Sequence, residues 1–285
     1  MITLHTYGGL GNRIRSIDSL LAITAQHKRE ITVIWERTYI LNCKFSDLFI
    51  LPDFVHMIEK ASSNSPLGMK VINGYRKIMR MLGVRIPSGY DKYIFEDDLK
   101  KLKTGDYDFT DFLNYDSLFI ETQHRFYSNG NDFALFRPVS GIENRVKKIS
   151  EKFTKNTVGL HIRRTDNKLS IENSPLELFI SAMNDELEAN SGTVFFLATD
   201  SSDVEKELND LFPGKIITQQ NKELSRNSEQ GIQDALVDML CLSRTKKIYG
   251  SFWSSFSEIA AAFGKIDLKI ISKATPSWDQ IPKGL

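Results

Sequence analysis

A chain of 285 residues with 37 basic and 36 acidic side chains, a formal net charge of +1, has no cationic surplus for a nucleic acid and no acidic surplus for a polycation. Its two cysteines and five histidines fall at spacings that make neither a disulfide framework nor a zinc-ligand set, which fits a reducing compartment. The length allows two ordinary α/β domains with ample core, and the N-terminus enters a strand without a charged segment and long apolar run, so neither a signal peptide nor a membrane anchor is expected. A cytoplasmic protein is the simplest reading.

Ile2 to Tyr7 alternates and predicts a strand, and Gly8-Gly9-Leu10-Gly11-Asn12-Arg13 a glycine turn. A helix follows, with Asn12 as N-cap and Ile14, Ile17, Leu21 and Ala25 on one face. Ile31 to Trp35 predicts the next strand, ending at Glu36. Three readings of this βαβ opening stand. Gly9-x-Gly11 with Glu36 resembles a dinucleotide fingerprint and would serve an oxidoreductase, although Ile14 stands where the third glycine belongs. The turn is otherwise a plain connection, or a row of backbone amides facing a cleft between two domains.

Ser46 to Phe54 is a short apolar element and Ala61 to Pro66 a loop. Residues 68–85 carry Lys70, Arg76, Lys77, Arg80 and Arg85 with no acid between them, interleaved with apolar side chains. This predicts either a basic amphipathic helix on the inner face of an anionic membrane or a helix whose apolar side packs on its own domain. Asp91 to Asp116 reads as irregular surface over the cleft, and Leu118 to Glu121 as a strand leading into Gln123 and His124. The domain boundary is placed near Pro138, before a helix over Gly141 to Phe153.

The second half alternates strand and helix, as a parallel sheet requires. Thr157, Val158, Leu160 and Ile162 make a buried strand that stops at Arg163, Arg164 and Asp166. Ligands of open α/β sheets bind beyond the carboxyl ends of strands, and two forked guanidiniums suit a phosphate or diphosphate; the alternative is an arginine pair bridged to surface carboxylates. A helix over Pro175 to Ala189 and an apolar strand over Thr193 to Ala198 lead to Thr199-Asp200-Ser201-Ser202. A helix begins near Asp203, a short strand covers Lys215 to Thr218, and Ser228 to Ser243 is helical with Asp234 and Asp238 a turn apart. The strand Lys247 to Gly250 runs into Ser251-Phe252-Trp253-Ser254-Ser255, hydroxyls and free amides that open a further helix and form a second phosphate site.

Together GGLGNR, HIRRTD, FLATD and SFWSSFSEIA, spread over nearly the whole chain, resemble the superfamily of α1,2-, α1,6- and protein-O-fucosyltransferases and rhizobial nodulation enzymes. The resemblance implies an α/β, GT-B glycosyltransferase with two Rossmann-like domains facing a cleft. These are an acceptor-side domain over 1–140, a GDP-sugar-binding domain over 141–272, and a tail, 273–285, returning to the first. It implies inverting transfer of L-fucose from GDP-fucose to an oligosaccharide or polysaccharide hydroxyl, with no metal or other cofactor. Carried over by motif, one of Arg163 and Arg164 holds the donor diphosphate, supported by His161 and Asp166. Asp200 and Asp238 recognise the guanine or ribose, and Ser254 and Ser255 contact phosphate. Asn12, with Gly9 and Gly11, stands near the transferred sugar. Asn167 departs from the lysine that the core-fucosylating enzymes carry there, and Glu172 is offset by one from their glutamate. The acceptor's proton therefore has three candidate bases, Glu172, Glu121 and His124. Another sugar nucleotide, or a binding module without turnover, are the competing readings.

Overall fold

The computed structural model describes residues 1–27, 29–105, 107–165 and 167–273, so Asp166 and the tail inferred to return to the first domain lie outside the described residues. The chain divides into two compact units, one of Met1–Val139 with Ser225–Gln233 and the other of Ser140–Leu224 with the chain from Asp234.

The first unit contains β1 (Ile2–Thr6), α1 (Leu10–Thr24), β2 (Ile31–Arg37), β3 (Phe49–Ile50), β4 (Val55–Ala61), α2 (Pro66–Met81), β5 (Lys92–Phe95), α3 (Glu96–Lys103), β6 (Leu118–Thr122) and β7 (Arg137–Pro138). Five strands form a wholly parallel sheet in the order β4-β2-β1-β6-β5, while β3 and β7 pair antiparallel. β1 is buried along its whole length at the centre, which is why its six-residue neighbourhood reads so clearly as a strand.

Two sequence expectations are corrected here, and one strand is found that the sequence reading did not predict. The helix begins at Leu10 with Gly9 as its N-cap, so Asn12 lies inside the first turn and does not cap it. The turn is completed earlier because Gly8 takes a left-handed φ of +83°, and a Cβ there would stand 2.7 Å from Gln123 Oε1. Val55–Ala61 is an edge strand paired with β2; its outward residues include His56, Ile58 and Lys60, which blurs the apolar pattern. Asp91–Asp116 is not irregular throughout. It supplies β5, whose Tyr93 and Phe95 pack on Phe119, and then α3, where Asp98 accepts from the Phe95 amide at 3.0 Å.

The second unit contains α4 (Ser140–Ser150), β8 (Thr157–Ile162), α5 (Lys168–Asn173), α6 (Leu176–Ala189), β9 (Val194–Thr199), α7 (Ser202–Leu211), β10 (Ile216–Ile217), α8 (Glu229–Leu242, from Asp234 onward), β11 (Lys247–Ser251), α9 (Ser255–Gly264) and β12 (Asp267–Ile271). Its sheet, also parallel, runs β10-β9-β8-β11-β12. Phe179 and Met183 of α6 and Val204 and Leu208 of α7 pack with Val158, Leu160 and Ile162 of β8 in one apolar cluster. On the other side Gly159 lets α8 approach: a Cβ there would meet Leu242 Cδ2 at 2.9 Å and Thr245 Oγ1 at 2.8 Å.

Each sheet reverses its strand order beside its first strand, between β1 and β6 in one unit and between β8 and β11 in the other. The crossovers leave opposite faces at that point, so a crevice opens beyond the strand ends.

Candidate functional site

In the second unit the switch point collects most of the polar residues singled out by sequence. The Ser251 hydroxyl, at the end of β11, donates to the His161 carbonyl at 3.1 Å and accepts from the Arg163 amide at 3.1 Å, which locks the ends of β11 and β8 together. The buried His161 ring stacks on Phe256 of α9, centroids 4.8 Å apart. The two arginines then diverge. The Arg164 guanidinium donates to the carbonyls of Ser174 at 2.7 Å and Arg163 at 2.8 Å, and burial draws its pKa down against the opposing charges of Asp200 and Glu177. Arg164 is therefore a tie between the loop after β8 and the start of α6.

Asp200 holds the same loop. Its Oδ1 accepts from the Arg164 amide at 2.7 Å, and its Oδ2 from the Thr165 hydroxyl at 2.7 Å and the Thr165 amide at 3.3 Å. Both oxygens thus order the backbone around Arg163. Ser254 is the N-cap of α9, 1% exposed, and its hydroxyl has no hydrogen-bond partner. A buried hydroxyl beside the amides of a helix N-terminus has the chemistry to bind an oxyanion. The preceding residue, Trp253, is held at a φ of +57°, with its carbonyl accepting from Asn167 Nδ2 at 3.0 Å. Ser255 is the first residue of α9, and Glu172 is exposed on α5.

Asp238 is 6% exposed; Lys222 donates to its Oδ2 at 3.2 Å and its Oδ1 has no partner. Burial pushes its pKa up to about 6, with Lys222 pulling the other way. Lys222 also lines a cavity of about 370 Å³ with Ser201, Ser202, Glu205 and Gln219. Gln219 is 5% exposed, and neither its amide nitrogen nor its oxygen has a partner. Sequence reading passed over Gln219 and Lys222, although both follow β10 as polar residues beyond a strand end, the signal used at β8 and β9. An acceptor-only carboxylate oxygen and an amide offering both a donor and an acceptor suit the edge of a heterocyclic base. Among the described residues no group of three His, Cys, Asp or Glu side chains converges to hold a metal ion.

In the first unit Asn12 Nδ2 donates to Gln123 Oε1 at 3.0 Å, joining the residues that follow β1 and β6. Gly9 and Gly11 lie at the start of α1. His124 accepts from Arg15 at Nδ1, 3.1 Å, since a guanidinium only donates; its Nε2 therefore carries the proton and faces Glu96 Oε1 at 3.0 Å. Buried His5 lies between two carboxylates, Glu121 at 3.0 Å and Glu36 at 3.6 Å. Arg76 meets Glu36 at 2.7 Å and Arg80 pairs with Glu121. The carboxylate that a dinucleotide reading would assign to a ribose is thus already engaged by His5 and Arg76.

This cluster makes stability depend on pH with a definite sign. Burial alone would lower the His5 pKa, but hydrogen bonds and charges from Glu121 and Glu36 raise it above its usual value. Burial would raise Glu36, yet His5 and Arg76 bring it to about 2. His5 then contributes fully below about pH 6.5 and loses its contribution as pH climbs through its raised folded value, while Glu36 contributes above about pH 4.5 and loses it on acidification. The stability difference between the protein and its H5Q variant, from urea unfolding, should be largest between about pH 4.5 and 6.5 and shrink on both sides. A difference constant from pH 4 to 9 would refute the assignment.

Two doubly wound parallel units, each with its polar residues gathered at a switch point, give the chain the GT-B fold. Among solved structures the chain is similar to NodZ α-1,6-fucosyltransferase soaked with GDP-fucose, at 16% identity over 92% of either chain with a TM-score of 0.60. A second NodZ structure, from Bradyrhizobium, matches at 18% identity and a TM-score of 0.59 over 91% of this chain and 92% of that one. Arabidopsis thaliana FUT1, as a mutant in complex with GDP, matches at 16% identity and a TM-score of 0.60, covering 94% of this chain and 69% of that one. At these identities the likeness establishes the fold. No protein-family model and no curated protein sequence matches the chain.

Proposed function

We propose that the protein is an inverting fucosyltransferase that moves L-fucose from GDP-fucose to a hydroxyl of an oligosaccharide or polysaccharide, without a metal. The observation that carries this reading is the buried, unpartnered Ser254 hydroxyl at the start of α9, beside the strand end that presents Arg163. The diphosphate would sit on the α9 amides, Ser254, Ser255 and Arg163, and the base would meet Asp238 Oδ1 and Gln219. Guanine offers a carboxylate its N1 and N2 protons, which fits an acceptor-only oxygen. The GDP and GDP-fucose named for the similar structures support the same donor.

In the transfer the acceptor oxygen attacks the anomeric carbon from the face opposite the phosphate, its new C–O bond forming as the glycosyl-phosphate bond breaks and the electron pair leaves on GDP. Charge grows on the departing diphosphate, where a guanidinium and helix amides stabilise it without a metal ion. The acceptor's proton needs a base. The His124 lone pair at Nδ1 is taken by Arg15, and Glu121 is bound by His5 and Arg80, so the role falls to the exposed Glu172. On the same reading the enzyme works in the cytoplasm, where buried free thiols such as Cys43 and Cys241 persist.

Calorimetry with GDP, UDP and NAD tests the donor class: GDP should bind at least tenfold more tightly than the other two, and equal or absent binding would overturn the reading. GDP-fucose hydrolysis should survive excess EDTA, and its loss would refute metal independence.

A further inference from the structure

The helix α2 sits on the first unit with the side that a globular protein would normally turn outward. Arg76 and Arg80 reach in to Glu36 and Glu121, and the Arg80 guanidinium lies 4.1 Å from the centroid of the Phe95 ring. Most of its apolar residues point away, while Met69, Ile72 and Met79 on the inward side are half-buried. Leu67 is 72% exposed, and Val71, Tyr75, Ile78 and Leu82, which share one stripe at 3.6 residues per turn, are between 56% and 71% exposed. Met81, Val84 and Ile86 extend the same surface, and no residue of α2 is buried. The apolar packing on its own domain that the sequence allowed is confined to Met69, Ile72 and Met79; the ion pairs of Arg76 and Arg80 hold the same side, and together they fix the larger apolar face outward. So large a contiguous apolar surface marks an interaction site.

Charge selects the occupant. Between Glu59 and Asp91 the chain has no acidic residue but has Lys60, Lys70, Arg76, Lys77, Arg80 and Arg85. With Arg76 and Arg80 turned inward, Lys70 and Lys77, both exposed and two turns apart, border the stripe. An apolar stripe rimmed by lysines matches the acyl region and anionic headgroups of a bilayer surface. A second copy docked face to face would set lysines against lysines. The helix spans 16 residues, too short to cross a bilayer, and no helix among the described residues is long and apolar enough to do so. We propose that α2 is an interfacial helix that docks the first unit on an anionic phospholipid bilayer, with Leu67, Val71, Tyr75, Ile78 and Leu82 in the headgroup–acyl boundary and Lys70 and Lys77 on the lipid phosphates.

The experiment is co-sedimentation of the full chain with vesicles of phosphatidylcholine alone or with 30% phosphatidylglycerol. The protein should pellet with the anionic vesicles, and 0.5 M salt should weaken this. Each lysine at such a surface is worth about fivefold in partitioning, so K70E/K77E should lose at least about 25-fold. I78S/L82S, altering only exposed side chains, should lose at least tenfold with its thermal midpoint unchanged. Equal partitioning to both vesicle types, no partitioning, or variants that bind like the parent would overturn the proposal. So would a stable dimer in vesicle-free buffer that I78S/L82S dissociates, which would give the face to a second copy. Vesicle binding needs no turnover, so this result is independent of the transfer reaction.

Discussion

Replacing Arg163 by alanine is expected to lower kcat/KM for GDP-fucose by about a hundred- to a thousandfold, the usual effect of removing one group aimed at developing charge. Arg164→Ala should behave differently. It strips the donors from the Ser174 and Arg163 carbonyls, and a carbonyl left unpaired costs about 1–3 kcal/mol, so this variant should melt earlier. GDP release rates, GDP calorimetry and thermal melts on both variants separate the roles. If Arg163→Ala binds GDP as tightly as the parent, or if the two variants are indistinguishable, the assignment of the pair is wrong.

Arg13→Met is expected to cost about 3 kcal/mol of stability, the scale for leaving two buried carbonyls unpaired at about 1–3 kcal/mol each. Arg13 is 1% exposed, and its guanidinium donates to the carbonyls of Gly8 at 2.8 Å and Glu36, and to Thr38 Oγ1 at 3.4 Å, over the Trp35 ring at 4.9 Å. Burial lowers its pKa to about 10, with the Glu36 charge opposing. Methionine fills much of the volume but satisfies neither carbonyl, so the turn that presents Gly8 and Gly9 loses its support. For a unit of this size the midpoint should fall by about 6–12 °C in a thermal melt. A fall under 2 °C would show that the turn holds itself.

Arg13 marks how legible this protein is in its sequence. GGLGNR announced a glycine turn before a helix, and the turn is there. The arginine in that motif reads as one more polar residue, because nothing local says that β2 will bring the Glu36 carbonyl and Trp35 to it. The HIRRTD strand end was equally plain, since burial on both faces of a parallel sheet demands an apolar run and its charged stop is conspicuous. Which arginine is structural was hidden, because Ser174 lies beyond an intervening helix. Likewise α2 advertised its amphipathicity but not its orientation. That depended on Glu36 and Glu121 meeting His5 at the ends of three adjacent strands, a juxtaposition that only the sheet order creates.

By itself, the sequence determined the periodic elements, the parallel α/β class and the strand ends where charge accumulates, because apolar period and glycine chemistry act between near neighbours. The tertiary structure alone decided the division of labour among the charged groups. It made Asp200 and Arg164 ties within a loop and left Asp238, Gln219 and Ser254 buried with unmet hydrogen bonds. It also turned the apolar face of α2 outward. Each of those outcomes rests on partners far apart in the chain, and a hydrogen bond or ion pair has no trace in sequence until packing brings its two ends within about 3 Å.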